Sequence, residues 1–270
     1  MGEDFVPRKM PREYREPATK QGSIHVIEYY TKLPHHILKH ATIYLPYGYE
    51  DSDEHYPVLY LQHGRGGTYR TWLGTSDEPR PFKNIIDNMI EHGDIRPCIV
   101  VAPNMTYRYG SDSNIMEGMS DEFAHILIPL IDSKYRTIAD RAGRTMAGFS
   151  MGGSLTWHML KDHADMVRNF IPMSMALYYD SNGYNESLSK KAAASIAAGI
   201  ASHGLTTRDI SVFAASGERD HKKSALVEQV RDLVKEAGLT DYDLHVWPKR
   251  RHTFKHSYPY LYNALIKFLH

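Results

Sequence analysis

The chain has 270 residues, of which 42% are hydrophobic and 24% charged, and these proportions exclude a wholly disordered protein. Lysine plus arginine and aspartate plus glutamate each total 32, and this neutral balance predicts no binding to nucleic acid or to an anionic membrane. The single cysteine, Cys98, excludes an internal disulfide, and no apolar run reaches the roughly 18 residues of a membrane span.

The N-terminal stretch differs in composition from the rest of the chain. Residues 1–21 are polar and contain prolines, which predicts a solvated tail or a surface arm before a single domain over residues 22–270. This stretch lacks the apolar segment of a secretory signal. We therefore expect a cytoplasmic protein, or a secreted one whose signal peptide has been removed. The sequence leaves the oligomeric state open.

Hydrophobic periodicity alternates between strand and helix along the chain. Two amphipathic strands at the start predict an antiparallel hairpin, and the later alternation predicts an α/β fold with a mainly parallel sheet covered by helices on both faces. The predicted strands are 24–30, 39–45, 57–62, 97–102, 144–149, 169–175, 209–215 and 242–247. The predicted helices are 82–91, 121–135, 151–160, 222–236 and 258–269, with Pro129 expected to kink the second. Residues 176–203 are expected to form a lid or an ordinary crossover.

Residues 148–152 (GFSMG) match the pattern G-x-S-x-G between a predicted strand and a predicted helix. A sharp turn at this position exposes the hydroxyl of Ser150, and the helix N-terminus places unpaired N–H groups beside it. A tight turn in which Ser150 only caps the helix is the alternative. The context of the motif favours Ser150 as a nucleophile.

A serine nucleophile needs a base, and the base needs an acid that orients it. After a strand–turn–helix nucleophile the acid and the histidine follow in that order along the chain. Asp220 follows one predicted strand and His252 follows the last one, so we expect these two residues to act with Ser150. Glu218 is the alternative acid. The alternative histidines, among 16 in the chain, are His221, His245 and His256.

The glycine-rich residues 63–67 (HGRGG) follow an early predicted strand. A loop of this kind aims a backbone N–H at the carbonyl oxygen of a substrate, and a second N–H comes from the residue after the nucleophile. The expected donors of this oxyanion hole are the backbone N–H groups of Arg65 and Met151. A plain glycine-rich turn is the alternative.

Aromatic and polar side chains in loops after the strands predict a surface for an acyl or sugar group. The candidate substrate-binding residues are Trp72, Asn104, Tyr107, Tyr178 and His256. His36 and His40 have the spacing of metal ligands on a helix, but they lie in a predicted hairpin without a third ligand. We therefore predict no metal and no cofactor, and we expect Cys98 to be a core residue.

Four segments carry a resemblance to a known family: PVLYLQHGRGGTYRTWLG, IIDNMIEHGDIRPCIVVAPN, LIPLIDSKYRTIADRAGRTMAGFSMGGS and SGERDHKKS. Together they resemble the esterase D and feruloyl esterase group, which includes bacterial feruloyl and acetylxylan esterases. The resemblance implies an α/β-hydrolase fold and a serine esterase without a cofactor. It assigns Ser150, Asp220 and His252 to a catalytic triad, and Arg65 and Met151 to the oxyanion hole.

The resemblance also implies a substrate class. Its members suggest feruloyl or acetyl esters of plant cell-wall polysaccharide, cleaved through an acyl-enzyme. A thioesterase of the S-formylglutathione type, an acyltransferase and a non-catalytic carbohydrate-binding relative are the alternatives. The chain departs from the group at Arg65, where an apolar residue is common, and at residues 249–251 (KRR), where glycine is common. Cations at these positions are expected to attract an anionic acyl or sugar group.

Overall fold

The computed structural model describes residues 5–31, 36–105, 112–180 and 185–270. These residues form an eight-stranded sheet in the order β1-β2-β4-β3-β5-β6-β7-β8. The strands are β1 (Ser23–Tyr30), β2 (Leu38–Leu45), β3 (Val58–Gln62), β4 (Ile99–Pro103), β5 (Arg144–Phe149), β6 (Asn169–Met173), β7 (Ser211–Gly217) and β8 (Asp241–Trp247).

The strand directions confirm the predicted sheet. β1 pairs antiparallel with β2, and β2 pairs antiparallel with β4, whereas the remaining neighbours are parallel. Strands β3 to β7 are buried at every position, because helices cover both faces of a parallel sheet. The carboxyl ends of the parallel strands meet at one edge of the sheet, which is where loops form a site in such folds.

Seven α-helices cover the sheet in the described part of the chain. They are α1 (Pro81–Glu91), α2 (Asp112–Glu122), α3 (Ile128–Lys134), α4 (Met151–Asp162), α5 (Glu186–Ser202), α6 (Lys223–Ala237) and α7 (Ser257–Leu269). One core cluster joins apolar residues of α2 to α6 with one face of the sheet, and a second joins α1 and α7 with the other face. The predicted two-sided arrangement of helices is therefore confirmed.

The helix predicted over residues 121–135 is longer and less regular than expected. It begins at Asp112 as α2, passes through a π-helical turn over Phe123–Leu127, and continues as α3 to Lys134. Pro129 has no N–H to donate, so the regular α-helical hydrogen-bond pattern cannot continue through it. The π-helical turn lies directly before this proline, where the prediction placed a kink.

The described part of the N-terminal stretch contacts the rest of the chain. Met10 and Tyr14 are buried, and the Tyr14 hydroxyl donates a hydrogen bond of 2.8 Å to Asp94. Within the segment predicted as a lid or a crossover, α5 follows β6 and precedes β7 in the chain, and it packs against α4 and α6. None of the described helices is both long and apolar enough to cross a bilayer.

Candidate active site

Ser150 occupies the sharp turn between β5 and α4. Its backbone has φ 57° and ψ −119°, a conformation that non-glycine residues rarely adopt. The neighbouring glycines make the turn sterically feasible. A Cβ atom on Gly148 would lie 2.2 Å from the backbone of Gly152, and one on Gly152 would lie 2.6 Å from the carbonyl oxygen of Gln62. The sequence pattern therefore matches a real steric requirement at this turn.

Three loops at the carboxyl edge of the sheet bring Ser150, His252 and Asp220 together. The distance from Ser150 Oγ to His252 Nε2 is 2.9 Å, and His252 Nδ1 lies 3.0 Å from both carboxylate oxygens of Asp220. A carboxylate only accepts hydrogen bonds, so Nδ1 carries the proton and Nε2 is left to accept from the serine hydroxyl. This is the relative geometry of a nucleophile, a base and an orienting acid.

Asp220 is fully buried at its side chain. Burial alone raises the pKa of this carboxyl, but hydrogen bonds from the His252 ring and from the Lys222 backbone N–H outweigh it. The net result is a pKa below the usual value, because these donors favour the charged form. Asp220 is therefore a carboxylate in hydrogen-bond contact with the His252 ring.

The loops that carry the acid and the histidine are joined by their backbones. Glu218 N–H donates to the carbonyl oxygen of Trp247, and Arg219 N–H donates to that of Arg250, both at 2.8 Å. These bonds continue the parallel pairing of β7 and β8 beyond the strands. The position of Asp220 is therefore tied to the position of His252.

Neither the alternative acid nor the alternative histidines have the contacts of Asp220 and His252 in the described part of the chain, although His221 Nδ1 lies 4.0 Å from Asp220 Oδ1. Glu218 accepts a hydrogen bond of 2.8 Å from the backbone N–H of Lys249. His245 and Asp243 both lie in β8, with His245 Nε2 3.5 Å from Asp243 Oδ1. His221 is exposed, with its ring centroid 4.8 Å from that of His252. His256 Nδ1 accepts a hydrogen bond of 3.0 Å from the backbone N–H of Arg251. The arrangement favours the predicted acid and histidine over these alternatives.

His63 orients the glycine-rich loop, and the sequence reasoning did not single it out. The Met105 backbone N–H donates to His63 Nε2 at 3.1 Å, so Nδ1 carries the proton and donates to the carbonyl oxygen of Gly64 at 2.7 Å. Burial lowers the pKa of His63, which keeps the ring neutral. The adjoining peptide is trans, so the N–H of Arg65 points away from His63. In the sequence, the only indication of this role is that a histidine directly precedes the glycine-rich residues.

The glycine-rich loop lies against the nucleophile turn. A Cβ atom on Gly64 would lie 3.3 Å from the Cβ atom of Ser150. Met151 is the first residue of α4, so its N–H has no acceptor within the helix. The expected oxyanion donors, Arg65 and Met151, thus lie on elements that meet at Ser150.

Two adjoining cavities open at this edge. The catalytic cleft has a volume of about 650 Å³ and the side pocket about 520 Å³. The cleft contains Ser150 and His252 with Phe149, Phe254, Thr71 and residues 64–67. The side pocket is formed mainly by Met116, Ser154, His158, Leu177, Tyr178, Tyr179, Leu188 and Lys191. Both cavities also contact Arg65, Met151, Met175 and Lys222, so they adjoin at these four residues.

The predicted substrate-binding residues divide into three groups. Tyr178 is half-buried and lines the side pocket. The prediction for Trp72 was wrong, because its side chain is fully buried, donates to the carbonyl oxygen of Gln62 and packs against Phe254 with ring centroids 4.5 Å apart. Trp72 is a core residue beneath the cleft. Tyr107 lies outside the described residues.

Asn104 and His256 also have roles other than the predicted one. Asn104 Oδ1 accepts a hydrogen bond of 2.7 Å from the Tyr69 backbone N–H, just after the glycine-rich loop. The ring of His256 contacts the backbone of Arg251 and the hydroxyl of Thr253, on either side of His252. Both side chains therefore stabilise loops of the site instead of lining its cavities.

The cationic run at residues 249–251 does not line the catalytic cleft. Arg250 instead lines a separate groove beside the N-terminal arm. The positive charges that border the two cavities come from Arg65, Lys191 and Lys222. The Nζ atoms of Lys191 and Lys222 lie over the rings of Tyr178 and Tyr179, at 5.4 Å and 3.8 Å from the ring centroids.

Two groups of side chains in the described ranges are close enough to share a metal ion. The first consists of Asp220, His221 and His252 and overlaps the triad. The second consists of Asp121, His125 and His163, whose ligand atoms lie within 4.8 Å of one another. The second group lies at the other end of α4 from Ser150, so an ion there has no contact with the cleft.

Comparison with known proteins places the chain in a family. The Esterase family model matches residues 39–269. Endo-1,4-beta-xylanase Y of Acetivibrio thermocellus is 32% identical over 97% of this chain and 24% of its own length. The endo-1,4-beta-xylanase/feruloyl esterase of Xylanibacter ruminicola is 43% identical over 43% of this chain and 16% of its own length. The chain thus spans about a quarter or less of these curated relatives.

Solved structures give the same result. A mutant of the feruloyl esterase module from Clostridium thermocellum, complexed with sinapinate, has a TM-score of 0.81 and 28% identity, and the match covers 98% of this chain and 93% of that one. S-formylglutathione hydrolase from Staphylococcus aureus shares the fold, with a TM-score of 0.63 and 15% identity over 92% of this chain and 97% of that one. The α/β-hydrolase fold and the resemblance to the feruloyl esterase group are confirmed, and the chain belongs to the Esterase family.

Proposed function

We propose that the chain hydrolyses hydroxycinnamoyl esters, such as feruloyl esters, of plant cell-wall polysaccharide through an acyl-enzyme. The main support is the 2.9 Å contact between Ser150 Oγ and His252 Nε2 in the catalytic cleft, which adjoins the side pocket. A similar structure that contains sinapinate and the similarity to xylanases support the acyl group and the polysaccharide, respectively.

The first half of the reaction forms the acyl-enzyme. Ser150 Oγ attacks the ester carbonyl carbon while His252 Nε2 takes the hydroxyl proton, and Asp220 stabilises the resulting imidazolium. The carbonyl oxygen becomes an oxyanion that accepts hydrogen bonds from the backbone N–H groups of Arg65 and Met151. When the intermediate collapses, the bond to the alcohol breaks, and His252 gives its proton to the departing sugar oxygen.

The second half releases the acid. His252 removes a proton from a water molecule, whose oxygen attacks the acyl carbon bound to Ser150. The second tetrahedral intermediate uses the same two N–H donors, and its collapse returns the proton to Ser150 Oγ. The net reaction consumes one ester and one water and yields one acid and one alcohol.

The shape of the site favours an aromatic acyl group over a formyl or acetyl group. The side pocket of about 520 Å³ falls in the range that holds a drug-sized molecule, whereas a one- or two-carbon acyl group leaves it empty. Its walls combine Met116, Leu177 and Leu188 with the half-buried Tyr178. The adjoining cleft is left for the sugar that carries the ester.

A hydrolysis panel tests the proposal. We expect kcat/KM for methyl ferulate to exceed the values for acetylated xylan, nitrophenyl acetate and S-formylglutathione. Ser150→Ala is expected to lower kcat for methyl ferulate by about 10⁶-fold. Faster turnover of S-formylglutathione than of methyl ferulate would instead indicate a thioesterase, and acyl sugars formed with an added acceptor would indicate an acyltransferase. Failure of an organophosphonate to label Ser150 would contradict any serine mechanism.

A further inference from the structure

Two histidines and an aspartate form a cluster where α2 and the π-helical turn pack against α4, at the end of α4 far from Ser150. Asp121 belongs to α2, His125 belongs to the π-helical turn, and His163 directly follows the last residue of α4. Each side chain offers one ligand atom, and the three atoms lie within 4.8 Å of one another. The cluster therefore joins two segments that are far apart in the sequence.

The local structure explains why these side chains meet. Asp121 and His125 are four residues apart, a spacing that places side chains one turn apart on the same face of a helix. The π-helical turn begins between them, and such turns frequently occur at functional sites. The backbone N–H of His163 donates to the carbonyl oxygen of Met159 at 2.9 Å, so the last turn of α4 holds this residue in place.

The three side chains differ in exposure. The side chain of His163 is 11% exposed, whereas that of Asp121 is 62% exposed and His125 also lies at the surface. His163 Nε2 lies 2.8 Å from Asp121 Oδ1, and the rings of His125 and His163 meet edge to face with their centroids 5.3 Å apart. One side chain is therefore fixed by the fold, and two can rotate toward it from the solvent side.

Two imidazoles and one carboxylate are a ligand set that suits zinc and similar divalent transition metals, whereas Mg²⁺ and Ca²⁺ prefer oxygen ligands. Tetrahedral zinc with bonds of about 2.0–2.2 Å places neighbouring ligand atoms roughly 3.3 Å apart. The exposed side chains of Asp121 and His125 can rotate to reach this spacing. The ion then takes the place of the proton between His163 Nε2 and Asp121, and the His163 ring carries its proton on Nδ1.

We propose that Asp121, His125 and His163 bind one Zn²⁺ ion at the surface. The ion joins α2 and the π-helical turn to the end of α4, and it thereby holds together two helices that contribute to the side pocket. This inference does not depend on the proposed function. The sequence-based prediction of no metal considered His36 and His40, which are close in the sequence, whereas these three ligands come from distant segments.

A water molecule completes the coordination. The nearest further histidine is His203, whose ring centroid lies 6.5 Å from that of His163. Its Nε2 lies 2.7 Å from the carbonyl oxygen of Asp162 and its Nδ1 lies 3.1 Å from Asp165, so both nitrogens face other groups. Zinc with three protein ligands takes a water molecule in the fourth position.

Calorimetric titration of the whole, untagged chain with zinc chloride tests the site. We expect the wild-type chain to bind Zn²⁺ with micromolar affinity and to melt at a higher temperature in its presence, and we expect neither effect with Mg²⁺. His125→Ala removes an exposed ligand without opening the core, so it should fold and should weaken binding of this ion by at least about tenfold. Asp121→Asn keeps an oxygen beside the His163 ring but loses the charge, and it should also weaken binding.

His221→Ala is the matched control, because His221 is the exposed histidine of the other cluster, which contains Asp220 and His252. It should leave the zinc-dependent rise in melting temperature unchanged. Melting curves without metal establish that each variant is folded. A wild-type chain that binds no Zn²⁺, or equal affinities in the wild type and His125→Ala, overturns the inference. Loss of binding in His221→Ala but not in His125→Ala places the ion at the triad and overturns it as well.

Discussion

Gly217 and Arg250 approach each other so closely that a Cβ atom on Gly217 would lie 2.4 Å from the carbonyl oxygen of Arg250. Gly217 ends β7, three residues before Asp220, and Arg250 precedes His252 by two residues. The contact therefore sets the separation of the two loops that carry the acid and the histidine. A side chain at position 217 forces one of these loops to move.

Gly217→Ala should lower kcat for methyl ferulate by up to about 100-fold, because a shift of about 1 Å in His252 or Asp220 misaligns the proton transfer. Gly118→Ala is the matched control, since a Cβ atom at this exposed helical position meets no atom within 4 Å. Steady-state kinetics of both variants beside the wild type provide the measurement. Equal kcat values for the three proteins would contradict the coupling of the loops.

Asp220→Asn should lower kcat by about 10⁴-fold while the protein remains folded, because an amide no longer fixes Nδ1 of His252 as the protonated nitrogen. The contrast with Glu218→Gln decides between the two acids that the sequence offered. Glu218 accepts from the Lys249 backbone N–H, so its variant should lose less than tenfold. A larger loss for Glu218→Gln than for Asp220→Asn would reverse the assignment.

The nucleophile, the acid and the histidine were predictable because each has a local signal. Ser150 lies in a five-residue motif, and Asp220 and His252 follow strands in the order that the fold requires. Parallel strands place their carboxyl ends at one edge, so the position of a residue after a strand already places it near the site. The alternation of strands and helices was predictable for the same reason, since periodicity is a local property.

The residues that the sequence could not assign depend on contacts between distant segments. His63 is oriented by the backbone N–H of Met105, 42 residues away, and no pattern announces this bond. Trp72 follows a strand, but packing against α1 and the residues before α7 buries it. His158 lies inside a buried helix, and its position beside the side pocket depends on residues far from it in the sequence. Burial and cavity shape are tertiary properties, which explains these failures.

The function of His63 can be separated from its contribution to folding. His63→Leu removes both hydrogen bonds of the ring, while the Gly64 carbonyl still accepts from the backbone N–H of Gly67 at 3.1 Å. We expect the peptide between Gly64 and Arg65, and with it the N–H of Arg65, to lose part of its orientation. Loss of one oxyanion donor lowers kcat by about 10²- to 10³-fold, and we expect a decrease of this order with little change in KM. His63→Asn keeps a side-chain N–H for the Gly64 carbonyl and should recover part of kcat. If both variants lose kcat equally, the hydrogen bond from His63 to the Gly64 carbonyl does not explain the loss of kcat.

The buried ion pair between Lys39 and Glu122 should dominate the stability of the edge formed by β2 and α2. Lys39 Nζ donates to both oxygens of Glu122 at 2.8 Å, and Lys39 is 2% exposed. Lys39→Met leaves the carboxylate buried without its cation, which costs about 3–5 kcal/mol. Urea unfolding measures this cost. Lys190→Met breaks the exposed ion pair with Glu186 and should leave the urea midpoint unchanged. Equal shifts of the urea midpoint in the two variants would contradict the claim that burial makes the Lys39–Glu122 pair important for stability.

The buried histidines make the stability of the fold depend on pH. Burial lowers the pKa of His63 and of His158 below the usual histidine value of about 6.5. Below that pH the unfolded chain therefore binds protons that the folded chain does not. The free energy of unfolding is then greatest above pH 6.5 and falls as the pH decreases through that value. The lowered pKa of Asp220 adds a stabilisation that is complete above its unfolded value of 3.8 and is lost only below that pH, outside this range. Urea unfolding at pH 7.5, 6.5 and 5.5 should show this decrease, and His158→Phe should reduce its slope. Parallel pH curves for the wild type and His158→Phe would mean that His158 takes up a proton equally in both states.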